Sequence, residues 1–207
     1  MVTNSEEIAI ISRARQKNVA DPARSREHFC HIFEDFLVNR DLRGQEVLDL
    51  GPGQWDFGEL CRERGVRTVV GIDSDPAVIE LGRYKGFTAL EGDLKRPWEI
   101  EGMKAIDGLF CKFSINAFWH ADDEFSAQRM IRLYLALVKP GGWAWVAPWN
   151  GVPKTLNASE RVLSTLVEQQ RIWFEEAGFR ARELTRQEAI RYGVHGEVFN
   201  SPLFTKL

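Results

Sequence analysis

From residue 47 the chain alternates short apolar runs with helical periodicities, the pattern of a parallel sheet whose strands are joined by helices. Val47–Leu50 predicts the first strand, and glycines at 51 and 53 follow it directly. Phe57, Leu60 and Cys61 line one side of a helix ending near Gly65, and Thr68–Asp73 is a β-branched second strand ending in an acid. Asp75-Pro76 caps the next helix, which carries Val78, Ile79 and Leu81 on one face. Gly86–Glu91 predicts a short third strand closed by Gly92-Asp93, and Asp107–Phe113 a fourth. A helix with Met130, Ile131, Tyr134, Leu135 and Val138 stops at the turn Lys139-Pro140-Gly141-Gly142, and Gly142–Pro148 is the fifth strand. Glu160–Ala177 is amphipathic through Val162, Leu163, Leu166, Val167 and Phe174; Gly178 ends it and Phe179–Leu184 is a sixth strand. Residues 185–197 fit neither period, while Val198–Leu207 supplies a last strand that Pro202 assigns to an edge or a bulge.

Upstream, residues 1–44 read as a helical extension. Asp21-Pro22 opens a helix on which Phe29, Ile32, Phe33, Phe36 and Leu37 recur at i, i+3, i+4, i+7 and i+8. That face needs a partner, and the sheet or the mouth of its site is available. The basic stretch Arg13–Asn18 reads either as a solvated face or as a grip for a carboxylate. The organisation expected is one domain over 1–207, with the extension at 1–44 and an α/β core at 45–207.

Composition narrows the class without naming it. Of 207 residues, 44% are apolar and 28% charged, ordinary proportions for a folded chain. Net charge is −3, so nothing favours a nucleic-acid backbone as partner. The three cysteines, Cys30, Cys61 and Cys111, lie far apart with no C-x-x-C spacing, which points away from zinc and disulfides and toward reduced thiols in a cytoplasm. Ile8–Ile11 is too short for a signal sequence or a membrane span.

The chemistry gathers where the first strand meets the glycines, Glu46-Val-Leu-Asp-Leu-Gly-Pro-Gly-Gln-Trp-Asp-Phe-Gly58. Such a turn lets a ligand approach the backbone, and the helix behind it offers free N–H groups. A dinucleotide fingerprint needs a third glycine where Asp56 stands. Asp49, two residues before the first glycine, repels a pyrophosphate and attracts a cationic ammonium. The electrostatics therefore favour an aminoacyl sulfonium cofactor over a nicotinamide.

These residues resemble the first motif of class I S-adenosylmethionine-dependent methyltransferases, with Trp55 in place of the family's third glycine. Asp73, Gly92-Asp93, Lys139–Gly142 and Phe174–Phe179 are similar to the family's later motifs, in order, over roughly residues 45–185. The resemblance implies an α/β, doubly wound, mostly parallel seven-stranded sheet flanked by helices. It implies S-adenosylmethionine as cofactor, with S-adenosylhomocysteine as product. Gly51 and Gly53 would lie along the methionine and ribose portion, with Asp49 near the amino group. Asp73, with Ser74 beside it, would accept from the ribose hydroxyls, and Asp93 from the adenine amino group, with the Leu94 N–H facing the ring. The backbone at Lys112 and Phe113 would meet the ammonium. Turn capping is the alternative role for Asp73 and Asp93, and a structural one for Asp49.

Methyl transfer to oxygen calls for alignment and often for a base. His120, in the polar and aromatic segment Ser114–Asp123, is the candidate base, with a surface position at a helix start as the alternative. Asn116, Trp119 and Trp149 are candidate substrate contacts, and Trp55 joins the two tryptophans at the same predicted sheet edge, where a flat or sugar-like acceptor would stack. Trp143 and Trp145 share a strand face and read as core. No metal site is expected from His28, His31 or His195. Ser114-Ile-Asn-Ala117 lacks the Asp/Asn-Pro-Pro-aromatic motif of DNA amino-methyltransferases, and no paired-glutamate loop of the protein arginine enzymes is present. The expectation is O-methylation of a small molecule or glycan, with no nucleic acid and no membrane. Its rivals are a binding module of the same fold without turnover and a nicotinamide oxidoreductase.

Overall fold

In the computed structural model, which describes residues 9–10, 12–13, 22–114, 124–147, 168, 171–194 and 202–206, the predicted alternation is realised. Helix α1 (Pro22–Ile32) runs into a wider π turn (Phe33–Leu37) and leads to β1 (Glu46–Leu50). Then come α2 (Asp56–Glu63), β2 (Thr68–Asp73), α3 (Pro76–Tyr84), β3 (Thr88–Glu91) and β4 (Ile106–Lys112). Helix α4 (Glu124–Ala136), β5 (Val138–Ala147), helical residues 171–176, β6 (Arg180–Glu183), α5 (Arg186–Arg191) and β7 (Pro202–Lys206) complete the order. The sheet runs β3-β2-β1-β4-β5-β7-β6, parallel from β3 to β5 and antiparallel where β7 meets its neighbours.

Both faces of the sheet are covered, which is why β1 is buried along its whole length. One layer packs Val47, Phe57, Phe110 and Trp145 with Ile32 and Phe33 of the N-terminal extension. The other packs Leu48, Leu50, Leu109 and Cys111 under Met130, Tyr134 and Phe174. A stack of rings runs through the first layer: Phe57 lies on Phe110 with centroids 3.6 Å apart, Phe110 on Trp145 at 5.0 Å, and Phe33 on Phe57 at 5.2 Å. Phe29 meets Phe57 and Phe110 edge-on. The apolar face read on the extension thus docks on the sheet. Arg191 of α5 ties down its far end, bonding Asp35 at 2.6 Å and Glu34 at 3.0 Å. That guanidinium holds the Asp35 carboxyl below its ordinary pKa.

Several sequence expectations need correction. Lys139–Gly142 turns the chain inside β5 and not ahead of it: the strand already begins at Val138, which pairs with Ile106, and the register shifts before Gly108 pairs with Trp143, with Gly141 at φ 75° between them. Val138 therefore leaves the helix face assigned to it. Pro202 does not mark an edge. Strand β7 lies between β5 and β6, and Pro202 is its first residue, a position where a missing N–H is tolerated. In the ambiguous stretch after residue 184, Thr185 and Glu188 form a reciprocal capping box that starts α5. The signal, Thr-x-x-Glu, was in the sequence. Among the described residues no helix is long and apolar enough to cross a membrane, and Cys30, Cys61 and Cys111 are free thiols.

Candidate functional site

The carboxyl ends of β1, β2, β3 and β4 meet along one edge of the sheet, where their parallel registers align Leu50 with Ile72 and Cys111, and Asp73 with Glu91. The chain leaves β1 through Gly51 and Gly53, both in the left-handed region at φ 73° and 55°. Gly51 donates to the Ile72 carbonyl at 2.9 Å, and a Cβ there would collide with Ser114 Oγ. Gly51 is thus required twice, by φ and by space, and Gly53 by φ.

Trp55 stands in the third glycine's place and holds a left-handed backbone that favours glycine, with φ 66°. Its side chain does not join an aromatic acceptor wall, as its position after β1 suggested. It is fully buried, stacked on Phe87 with centroids 4.9 Å apart, and donates from Nε1 to the Val78 carbonyl at 2.9 Å. The indole occupies space left by two other glycines: a Cβ on Gly71 would lie 2.3 Å from the ring and one on Gly82 2.2 Å from it. Lys85 Nζ bonds the carbonyl of Gln54 at 2.7 Å, so the turn is held from below by α3 and the residue after it.

Asp49 points into the layer that holds Phe110, its cross-strand partner, and is 2% exposed. Its Oδ2 has no hydrogen-bond partner among the described residues. Burial, with the Asp73 charge as a second cause, raises its pKa well above the ordinary carboxylate range. The Cys61 thiol is likewise pushed up by burial and then by Asp49. Such a buried acid, with Oδ2 unsatisfied among the described residues, has room chemically for a donor or a cation.

Asp73 ends β2; its Oδ1 accepts from the Asp75 N–H at 2.9 Å, and Asp75 in turn caps α3. Ser74 is exposed beside it. Asp93 Oδ1 accepts from the Lys95 N–H at 2.9 Å. Both acids therefore cap turns, and they do so at the strand ends where the motif puts them. The turn at Leu94 is fixed by Tyr134, whose hydroxyl donates to the Leu94 carbonyl at 3.0 Å. The sequence showed Tyr134 only as part of an apolar helix face.

At the end of β4, Phe113 is the other residue besides Trp55 that holds a positive φ without being glycine, at 68°, among the described residues. It is 42% exposed, and its N–H is spent on the Ala147 carbonyl at 3.0 Å. Lys112, read for its backbone, contributes a side chain as well. Its Nζ lies 4.8 Å from the Phe29 ring centroid and 5.8 Å from that of Phe113, and burial lowers its pKa to about 8. His120, Asn116, Trp119 and Trp149 lie outside the described residues. Trp143 and Trp145 are core, as read. Asp49, Gly51, Gly53, Asp73, Ser74, Asp93, Leu94, Lys112 and Phe113 come from separate strand ends and lie along one sheet edge.

No family model and no curated protein matches the chain. Solved structures do. A Haloferax volcanii complex of the Trm112 methyltransferase activator and a methyltransferase includes a chain 16% identical, with a TM-score of 0.58, 95% of this chain covered and 96% of that one. Magnesium protoporphyrin IX methyltransferase from Synechocystis, solved with bound S-adenosylmethionine, is 14% identical with a TM-score of 0.58, covering 88% and 79%. A sugar N-methyltransferase from a Streptoalloteichus species is 15% identical with a TM-score of 0.58, covering 92% and 89%. With this strand order, this glycine turn and these likenesses together, the chain has the class I, Rossmann-like methyltransferase fold.

Proposed function

We propose that the protein is an S-adenosylmethionine-dependent methyltransferase acting on oxygen of a small molecule or sugar. The observation that carries the cofactor is the buried Asp49 carboxyl beneath the Gly51 turn, whose Oδ2 is unpartnered among the described residues. An ammonium group is the complement such an acid lacks, and a pyrophosphate is not. Gly51 and Gly53 would flank the aminoacyl and ribose portion. Asp73 would take the ribose hydroxyls through its carboxylate oxygens, which suit a bidentate pair of donors. Asp93 and Leu94 would meet the adenine, on a turn that Tyr134 holds still. When bound, the cofactor supplies an electrophilic methyl group on a sulfonium. The protein's task is then to hold an acceptor in line with it and keep water away. His120 as base, and Asn116, Trp119 and Trp149 as acceptor contacts, remain part of the proposal. The free thiols fit a cytoplasmic setting.

Calorimetry with S-adenosylmethionine, S-adenosylhomocysteine and NAD tests the cofactor directly. Binding of both sulfur compounds and not of NAD is expected, and failure of both to bind refutes the reading. Asp73→Ala should weaken binding of S-adenosylhomocysteine by about 1.5–3 kcal/mol, the range for hydrogen bonds to a charged group. Unchanged affinity would remove Asp73 from the ribose site. Formation of S-adenosylhomocysteine in the presence of candidate acceptors, screened as alcohols, phenols and sugars, separates an enzyme from a binding module. His120→Ala should then lower kcat by roughly 10²–10⁴-fold if the imidazole is the base.

A further inference from the structure

We propose that the Lys112 side chain grips the carboxylate of the cofactor's amino-acid tail, so that Lys112 and Asp49 together make the site selective for ligands with an intact zwitterionic tail. This rests on the cofactor reading above. Lys112 closes β4 one residue after Cys111, which pairs with Leu50, so it stands level with Gly51. Side chains alternate along a strand, which puts Lys112 on the same face as Phe110, the residue paired with Asp49. The acid and the amine therefore flank one turn from one side of the sheet.

Among the described residues neither has a hydrogen-bond or ion-pair partner that would neutralise it. Asp49 Oδ2 accepts nothing among the described residues. Lys112 Nζ faces the rings of Phe29 and Phe113 and, among the described residues, makes no hydrogen bond or ion pair. Aromatic faces offset only part of the cost of withdrawing an ammonium from water. Burial accordingly weakens its hold on the proton, and the nearby Asp56 charge offsets this in part. An α-amino acid tail carries both missing complements, an ammonium for the acid and a carboxylate for the lysine. A carboxylate at Lys112 also gains a charge-assisted hydrogen bond in a partly dry setting. None of the motif positions in the sequence assigns this role to a side chain on β4.

The test is calorimetry on wild type, Lys112→Met and Lys112→Arg with two probes, S-adenosylhomocysteine and methylthioadenosine, the same thioether nucleoside without the amino-acid tail. Lys112→Met should weaken S-adenosylhomocysteine by about tenfold or more, as loss of a charged hydrogen bond does, and leave methylthioadenosine within about twofold. Lys112→Arg should recover most of the lost affinity. The proposal is overturned if Lys112→Met binds S-adenosylhomocysteine like wild type, or if it loses both probes equally, since the lysine would then support the fold and not the tail. If wild type binds neither probe, the cofactor reading itself fails.

Discussion

Replacing Trp55 with alanine lowers the stability of the folded chain by about 3–5 kcal/mol, the usual loss when a buried aromatic is truncated. The indole is fully buried, stacked on Phe87 and bonded to the Val78 carbonyl, and it fills space above Gly71 and Gly82. Neither glycine has a side chain to relax into the space the indole would leave. Trp55→Gly restores the residue usual in the family's motif and suits φ 66°, yet it leaves the larger void. Relief of left-handed strain, about 1–2 kcal/mol, does not offset the lost packing. The coupling has a sign that chemical denaturation can read. Gly82→Ala in wild type drives a Cβ to within 2.2 Å of the ring and destabilises. In the Trp55→Gly background the same methyl enters empty space on a helix, where alanine is favoured over glycine, and stabilises. If Gly82→Ala costs the same in both backgrounds, the three positions are independent and this account of Trp55 is wrong.

Asp49→Asn is expected to make the ligand-free protein more stable at neutral pH while weakening its hold on S-adenosylhomocysteine. Burial raises the pKa of Asp49 in the folded state, with the Asp73 charge adding to it. In the unfolded chain an aspartate ionises near about 3.9. Above that pH the unfolded state has released its proton and the folded state has not, so stability falls as pH rises, by about 1.4 kcal/mol per pH unit until the folded group also ionises. Asparagine has no proton to lose. The stability difference between variant and wild type should therefore widen as pH climbs from 4 toward neutrality and shrink below it, in urea titrations at a series of pH values. A difference that stays constant with pH would mean that Asp49 is ionised in the folded protein. If the proposed role of Asp49 holds, it exchanges stability for function, as groups at binding sites ordinarily do.

Much of the framework was legible from local pattern. Thr68–Asp73 and the Asp75-Pro76 cap appear in the structure as read, because β-branched runs and capping geometry are short-range properties. The glycines at 51 and 53 announced a turn with positive φ, and both have it. The acid two residues earlier was recognisable as unusual because charge at a strand end is visible without coordinates. What failed were choices made by neighbours distant in sequence. Pro202 looked like an edge residue, and only the pairing of β7 between β5 and β6 decided otherwise. Lys139–Gly142 has turn composition but lies within a strand whose register shifts opposite Ile106 and Gly108.

Trp55 shows the division most sharply. Its place after a strand put it at the sheet edge, and sequence carries no record of which way a side chain turns there. Direction was settled by the absence of Cβ atoms on Gly71 and Gly82, 16 and 27 residues away. Lys112 is similar: the motif assigned a backbone role, while its burial beside Phe29 depends on how the N-terminal helix docks. The sequence by itself determined the order of elements, the glycine turn and the acids at the strand ends, because those follow from periodicity, φ and charge. Only the tertiary structure decided that Trp55 is a buried wedge, that Asp49 Oδ2 has no partner among the described residues and that Lys112 stands across the turn from it, because burial and pairing are set by contacts between residues the chain brings together from afar.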